Sequence, residues 1–441
     1  MSNLAKRIYW FLLPVAEPLF ALRCCLQLIA RSGLVAGLRM FRQLPPGPFR
    51  PIDEALRTDQ HTLLALAAKH GPIFKCNWRG ERVVMIVGFE RALDAFQSCP
   101  HELRSTYKST EHLFPNGHLR ALHGDMHHHY RQIILRGLRS GLIPVHEAAL
   151  RADVQRCFLK LHALHPSHNV NTLELINALR GLTTRMLLRV FLGIDPDSPK
   201  GKALRDGYDA LTPGLAPAFG YQRQNPAFEH LIALVTTEVS RLQQDLQSIE
   251  VSVLQRLIAE QNLEPTTRGI LVYMLETGRF DLYSLFRWML YYLAKHPPAA
   301  HLITHAGSLR SSAGATAARA FVHETLRLNQ SEAIQRRIDD DHQYAGYSIP
   351  SQSQLQVCLW ETHKDPAVFA QPFEFNPSRF INATHSLDRF APFGVDEHRC
   401  AAAEYVIDLA RLFVEEAVAS WSVAIFQDAA PVRGNYHWEP D

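Results

Sequence analysis

Phe390-Ala391-Pro392-Phe393-Gly394-Val395-Asp396-Glu397-His398-Arg399-Cys400-Ala401-Ala402-Ala403 decides how this chain is read. Its first half, with Pro392 and Gly394, is loop. From Ala401 to about Ser420 the apolar spacing is that of a strong amphipathic helix. One cysteine therefore stands where a loop enters a helix. Backbone N–H groups and the helix dipole favour a thiolate there. Gly394 permits a tight turn, and His398 sets an imidazole donor just ahead of the thiol. A structural cysteine at a helix start is commoner in general, so the rest of the chain has to decide.

A soft thiolate suits haem iron and pushes electron density toward bound oxygen. The segment resembles the cytochrome P450 signature Phe-Gly-x-Gly-x-(His or Arg)-x-Cys-x-Gly. Phe393, Gly394, His398 and Cys400 match it. Asp396 replaces the second Gly and Ala402 the last. The resemblance implies a mainly α fold with small β-sheets, the cytochrome P450 fold. It also implies haem b, with Cys400 as axial ligand, Phe393 and Gly394 in the ligand loop, and His398 donating to a propionate.

Four further segments match the same family in order. Phe321-Val-His-Glu324-Thr-Leu-Arg327-Leu resembles its Glu-x-x-Arg helix; residues so spaced share a helix face. Phe375-Asn-Pro377-Ser-Arg379-Phe380 resembles its meander, which implies that Arg379 joins Glu324 and Arg327 in a buried network. Gly124-Asp-Met-His127-His-His-Tyr-Arg131 resembles the helix whose His and Arg meet the propionates. Trp360-Glu-Thr-His363-Lys-Asp365-Pro366 resembles the stretch before the meander. Arg336 or Arg337 is the implied third propionate contact.

The family's central helix normally carries an acid–alcohol pair above the iron. Its tail is recognisable as Phe286-Arg-Trp288-Met-Leu-Tyr-Tyr-Leu-Ala-Lys295-His296-Pro297. Counting back places Gly278 on the family glycine, Phe280 on the acid and Asp281 on the alcohol. The usual pair is absent. Asp281 can serve as general acid if it faces the pocket; the alternative is that it faces away or pairs with Arg279. The expected activity is monooxygenation of an apolar small molecule (a terpenoid, lipid or other secondary metabolite) with electrons from a ferredoxin or reductase. The alternatives are a peroxide-dependent or partner-independent isomerase or dehydratase, and a degenerate haem or partner-binding protein without turnover.

Composition agrees with an enzyme of this kind. The chain has 441 residues, 47% hydrophobic, with net charge +3, and nothing points to a nucleic-acid partner. Its 7 cysteines are irregularly spaced with no C-x-x-C pair, which suits a reducing, cytoplasmic setting. Adjacent side chains on a helix diverge, so His127, His128 and His129 cannot together hold one ion, and at least two are expected at the surface. Residues 1–42 form an apolar, amphipathic segment. Pro14, Glu17, Pro18 and Arg23 argue against a clean span between residues 8 and 30. That stretch either lies on a membrane as a peripheral helix or packs on the domain. The proline-rich run 43–51 is expected to be a stiff hinge, and 52–441 the catalytic domain. A helix is expected over Thr58–His70, strands over 73–88, and substrate-contact loops near Tyr107–Leu122 and Leu211–Phe228.

Overall fold

The computed structural model describes residues 3–78, 80–98, 103–105, 119, 122–164, 170–211, 217–244, 251–260, 263–305, 312–329, 333–381, 389–425, 431–433 and 438–440. Most of the first expected substrate loop, Tyr107–Leu122, falls outside these residues, as does 212–216 of the second; from Pro217 to Phe228 the second is not a loop but the start of a long helix. The chain forms two compact units. One comprises Met1–Thr106, Ser331–Phe373 and Ser386–Asp396; the other comprises Tyr107–Gln330, Glu374–His385 and Glu397–Asp441.

The elements run α1 (Asn3–Ser32), α2 (Leu34–Arg42), α3 (Asp53–Thr58), α4 (Thr62–His70), β1 (Ile73–Trp78), β2 (Glu81–Ile86), α5 (Phe89–Ser98) and β3 (Leu103–Ser105). Next come α6 (Gly124–Gly137), α7 (Leu142–Leu164), α8 (Thr172–Leu187), α9 (Pro199–Ala210), α10 (Pro217–Gln244), α11 (Val253–Ala259), α12 (Pro265–Lys295), α13 (Pro297–His305) and α14 (Ser312–Leu328). The remainder is β4 (Ile334–Ile338), β5 (His342–Tyr344), β6 (Tyr347–Ile349), β7 (Gln354–Val357), α15 (Leu359–Thr362), α16 (Ala403–Ser420), β8 (Val432–Arg433) and β9 (Trp438–Glu439). The fold is mainly helical with small sheets, as the motifs imply.

The first unit is built on a five-stranded sheet of order β1-β2-β7-β4-β3. β2 and β7 are parallel, Val83 facing Gln354 and Ile86 facing Val357. β4 joins β7 antiparallel, with Arg337 opposite Gln354. One sheet face packs Val84, Ile86, Leu355 and Val357 on α5. The other packs Phe74, Val83 and Met85 with Leu63 of α4. Side chains alternate between faces as a strand demands. The helix expected from Thr58 to His70 is α4, which begins later, at Thr62, because Thr58 is the last residue of α3.

The run 43–51 is no free hinge. Lys75 N donates to Pro46 O at 2.8 Å, Ile52 N to Asn77 O at 3.0 Å, and Asn77 Nδ2 to Phe49 O at 3.2 Å. Prolines give up N–H groups but keep carbonyls, so this extended run serves as acceptor along β1. Before it, α1 and α2 form a hairpin. Gly33 turns the chain at φ 79. At Gly37 a Cβ would meet the Ile29 backbone at 2.6 Å, so the two helix backbones touch. Arg31 ties the hairpin to the strand region through Ser351 O (3.1 Å) and Ser351 Oγ (2.6 Å). Among the described residues no helix is long and apolar enough to cross a membrane.

The second unit is a helical assembly around α12. From Leu282 to Leu290 every residue of α12 is buried, Ser284 and Arg287 included, so this part of the helix is enclosed on every side. α12 packs on α8, α10, α14 and α16, and α16 also packs on α7 and α14. Phe286 and Phe413 stack at 4.0 Å with rings 4° apart, fixing α16 to α12.

Candidate active site

Cys400 is exposed and lies in the loop just ahead of α16. The helix starts at Ala403 rather than Ala401, because Ala401 and Ala402 form a turn. Asp396, at the family's second glycine, opens a 3-10 turn, Asp396–His398. An L residue takes that right-handed turn readily, so no glycine is needed. Phe393 and Gly394 lie in the first unit, where Gly394 has φ 83 and its N–H bonds Ala391 O at 3.0 Å. The start of this loop is clamped by His363. The side chain is fully buried, Ala391 N donates to its Nε2 at 3.2 Å, and the Phe390 ring lies 5.5 Å away. That nitrogen must carry a lone pair, so the ring proton sits on Nδ1. His363 was legible only as part of a motif; its grip on the loop was not.

In the second unit α6 carries His127, Tyr130 and Arg131. His127 is 1% exposed, while His128 and His129 face solvent. The His127 and His398 rings lie 4.0 Å apart, centroid to centroid, tilted by 32°. Glu397 Oε1 is 3.4 Å from His398 Nε2. One ligand atom from each of His127, Glu397 and His398 lies within 4.8 Å of the others. Two imidazoles and a carboxylate could bind a divalent cation; two imidazoles with the half-buried Arg131 could equally receive carboxylates. Tyr130 anchors α6 by donating to Glu264 at 2.8 Å. Arg336, the implied third propionate contact, belongs to β4 in the first unit. It is buried there, donates to Gln335 O at 2.9 Å and lies over Phe96.

The Glu324 cluster is closed. Glu324 and Arg327 are fully buried and paired by two bonds of 2.8 and 2.9 Å. Arg379 Nε reaches Glu324 Oε1 at 3.0 Å, and Asn376 N donates to the same oxygen at 2.8 Å. Arg327 also bonds Glu374 O at 3.1 Å. The meander is thereby tied to α14. Tyr292 of α12 stacks on Phe375 at 4.0 Å, carrying the tie to the central helix.

Between Met274 and Asp281 the central helix is less buried at Met274, Thr277, Gly278, Phe280 and Asp281. Asp281, one turn on from Thr277, shares its face. Thr277 was missed in the sequence because its hydroxyl is not at the family's alcohol position. Its Oγ1 donates to Tyr273 O (3.2 Å) or Met274 O (3.3 Å), the usual back-bond of a helical threonine. At Gly278 a Cβ would meet Leu187 at 3.5 Å. Arg279 turns away. It is 3% exposed, bonds Glu276 at 2.7 Å and Tyr208 O at 2.6 Å, and has Asp209 at 3.6 Å. Burial raises the Glu276 carboxyl, and Arg279 opposes that rise. Phe280 lies under the Arg279 guanidinium at 4.5 Å and near that of Arg180 at 5.4 Å.

A cytochrome P450 family model matches residues 283–401. A solved structure described as retinoic acid bound cyanobacterial CYP120A1 superposes with TM-score 0.71 at 19% identity, covering 89% of this chain and 96% of that one. Over residues 283–401, and in its fold, the chain is similar to the cytochromes P450. Among curated P450 relatives, ent-kaurenoic acid oxidase 1 of Arabidopsis thaliana is 24% identical over 60% of this chain and 61% of its own length. Cytochrome P450 CYP82D47 of Panax ginseng is 33% identical over 21% of this chain and 28% of its own. Cytochrome P450 87A3 of Oryza sativa subsp. japonica is 24% identical over 80% of this chain and 74% of its own. The chain thus spans less than two thirds of the first two. The matched family and the shared fold imply a haem cofactor. The donor set fits it: a reachable thiol ahead of a helix, and paired imidazoles with a guanidinium on α6 suited to carboxylates.

Proposed function

We propose that this protein is a haem-thiolate monooxygenase that oxidises an apolar small molecule and takes electrons from a separate ferredoxin or reductase. The observation that carries this reading is Cys400, an exposed thiol at the entry to a helix whose Phe413 stacks on the central helix. Cys400 would hold the iron of haem b, and His127, His398, Arg131 and Arg336 would hold its propionates. When bound, the haem supplies dioxygen reduction and oxygen transfer. The chain's residues bind, orient and move protons. The back-bonded Thr277 hydroxyl keeps lone pairs for an incoming donor, and Asp281, one turn on, offers a carboxyl on the same face. Together they supply alcohol and acid in reversed order along the helix. The aromatic face of Phe280, in the usual acid position, holds two arginines instead. That displacement favours, as a second reading, turnover with peroxide and no electron partner.

The test is the spectrum of the reduced, carbon-monoxide-bound protein, followed by turnover with a ferredoxin system and with hydrogen peroxide. A thiolate-type spectrum that disappears in Cys400→Ala is expected; its survival in that variant overturns the ligand assignment. Asp281→Asn should keep the spectrum and substrate affinity while lowering turnover roughly 10²–10⁴-fold, the usual loss of a general acid. Wild-type turnover in Asp281→Asn removes it from the relay.

A further inference from the structure

The first unit holds a pocket apart from the haem-binding residues. It measures about 510 Å³ and lies between α1 and the strand ends at Gly80–Arg82 and Ser351–Gln352. Four arginines line it: Arg23 and Arg31 from α1, Arg82 from β2 and Arg337 from β4. Glu81 is the one carboxylate among its lining residues, and Phe20 and Leu28 add apolar surface.

Three of these arginines hydrogen-bond neutral groups. Arg31 binds Ser351. Arg82 Nε donates to Ser353 Oγ at 3.0 Å, and Arg337 Nη1 reaches Gln352 Oε1 at 3.4 Å. Arg82 Nη1 and Arg337 Nε are buried with no hydrogen-bond acceptor among the described residues. A buried guanidinium N–H left without an oxygen is costly. Burial also lowers the Arg82 pKa, with the adjacent Cys24 and, more weakly, Asp341 opposing the drop. The register sets this arrangement: Val83 of β2 and Arg337 of β4 both face Gln354, so two cations flank one end of β7.

Beside the pocket the helical hairpin exposes leucines. Leu19, Leu22 and Leu26 are each more than half exposed along one side of α1; Leu34 and Val35 of α2 are 62% and 83% exposed. On the α1 wheel this stripe borders Arg23 and Ala30, on the pocket side. Greasy surface next to a cationic pocket is complementary to an amphiphile with an anionic head.

We infer that α1 and α2 lie on a bilayer through these leucines and that the arginine pocket takes the phosphate headgroup of an acidic phospholipid. The phosphate oxygens supply acceptors for Arg82 and Arg337, while Arg23 and Arg31 close the rim. This is independent of the haem chemistry and adds a headgroup site to a peripheral helix.

Co-flotation of the haem-loaded full chain with vesicles tests it. Vesicles of phosphatidylcholine mixed with phosphatidic acid should bind the protein more tightly than phosphatidylcholine alone, and salt should weaken the difference. Arg23→Gln combined with Arg337→Gln should weaken binding to acidic vesicles about 30-fold, at the usual contribution per basic residue near a charged surface. Because Arg337 lies in a strand, exposed Arg23→Glu is the second variant; it should act in the same direction with unchanged thermal unfolding. Leu22→Ser with Leu26→Ser should weaken binding to both vesicle types. Equal binding to the two vesicle types, or arginine variants that bind acidic vesicles like the wild type, overturns the proposal. Calorimetry with monomeric short-chain phosphatidic acid and with inorganic phosphate separates the sources. Tighter binding of the lipid is expected; equal or tighter binding of inorganic phosphate assigns the pocket to a free anion and overturns the membrane reading.

Discussion

Two groups of cations in this protein, one mostly buried and one half-buried to exposed apart from Lys75, are neutralised in opposite ways. In the helical unit, Arg327 and Arg379 converge on Glu324, and Arg151 meets Glu415 at 2.6 Å and Glu416 at 2.8 Å. In the sheet unit, Arg31, Arg82 and Arg337 rest on serines and a glutamine, and Lys75 Nζ donates to Pro45 O (3.0 Å) and Gly47 O (2.8 Å) over the Phe49 ring. A cation matched by a carboxylate is finished within the chain and serves the fold. A cation matched by dipoles keeps its field and can still receive an anion. The Glu324 cluster therefore belongs to stability and the arginine pocket to binding.

The largest expected effect comes from breaking the matched group. Glu324→Ala strands two guanidinium groups, one of them fully buried, and should cost roughly 3–5 kcal/mol. Denaturant unfolding of the purified variant, together with its haem content, measures this. A loss within about 0.5 kcal/mol, the range of an ordinary surface change, would mean that the cluster is not what holds the meander.

Arg379→Ala should cost less, about 1–3 kcal/mol. Its side chain is 12% exposed, and Glu324 keeps Arg327 and the Asn376 N–H. The order of these two variants in one unfolding series is the check; an inverted order would place the centre of the network at Arg379.

The smallest effect concerns Lys75, whose pKa burial lowers to about 8 from its ordinary 10.5. Between those values the unfolded chain binds more protons than the folded one, so this residue's contribution to stability rises as pH increases from 8 to 10.5. Lys75→Met should remove that slope. The wild-type minus variant difference in unfolding free energy should grow by on the order of 1–2 kcal/mol across the window, after allowing for solvent screening. A flat difference would mean that the carbonyls at Pro45 and Gly47 fully offset the burial of the charge.

The matched group was legible in the sequence, and the unmatched one was not. Glu324 and Arg327 share one helix turn, and Arg379 sits in a short motif of its own. Local spacing and family resemblance sufficed to bring them together. Arg23, Arg31, Arg82 and Arg337 come from four separated places and meet only through the parallel β2–β7 pairing and the β4 register, which no local pattern announces. The same limit explains the miss at Thr277. Counting back along α12 found the departures at Phe280 and Asp281, but which face of the helix stays open depends on how α8, α10 and α16 cover the others. At 43–51 the missing proline donors made an extended, stiff run legible, but not that its carbonyls accept along β1.

The contact at Gly37 has an implication for recombining this protein with others. Because the α2 backbone rests directly on that of Leu28 and Ile29, the first helix has no interchangeable socket. A chimera that replaces α1 alone brings a new surface to a seat shaped by one missing side chain, whereas exchanging residues 3–42 together carries both halves of the joint. The portable module here is the hairpin.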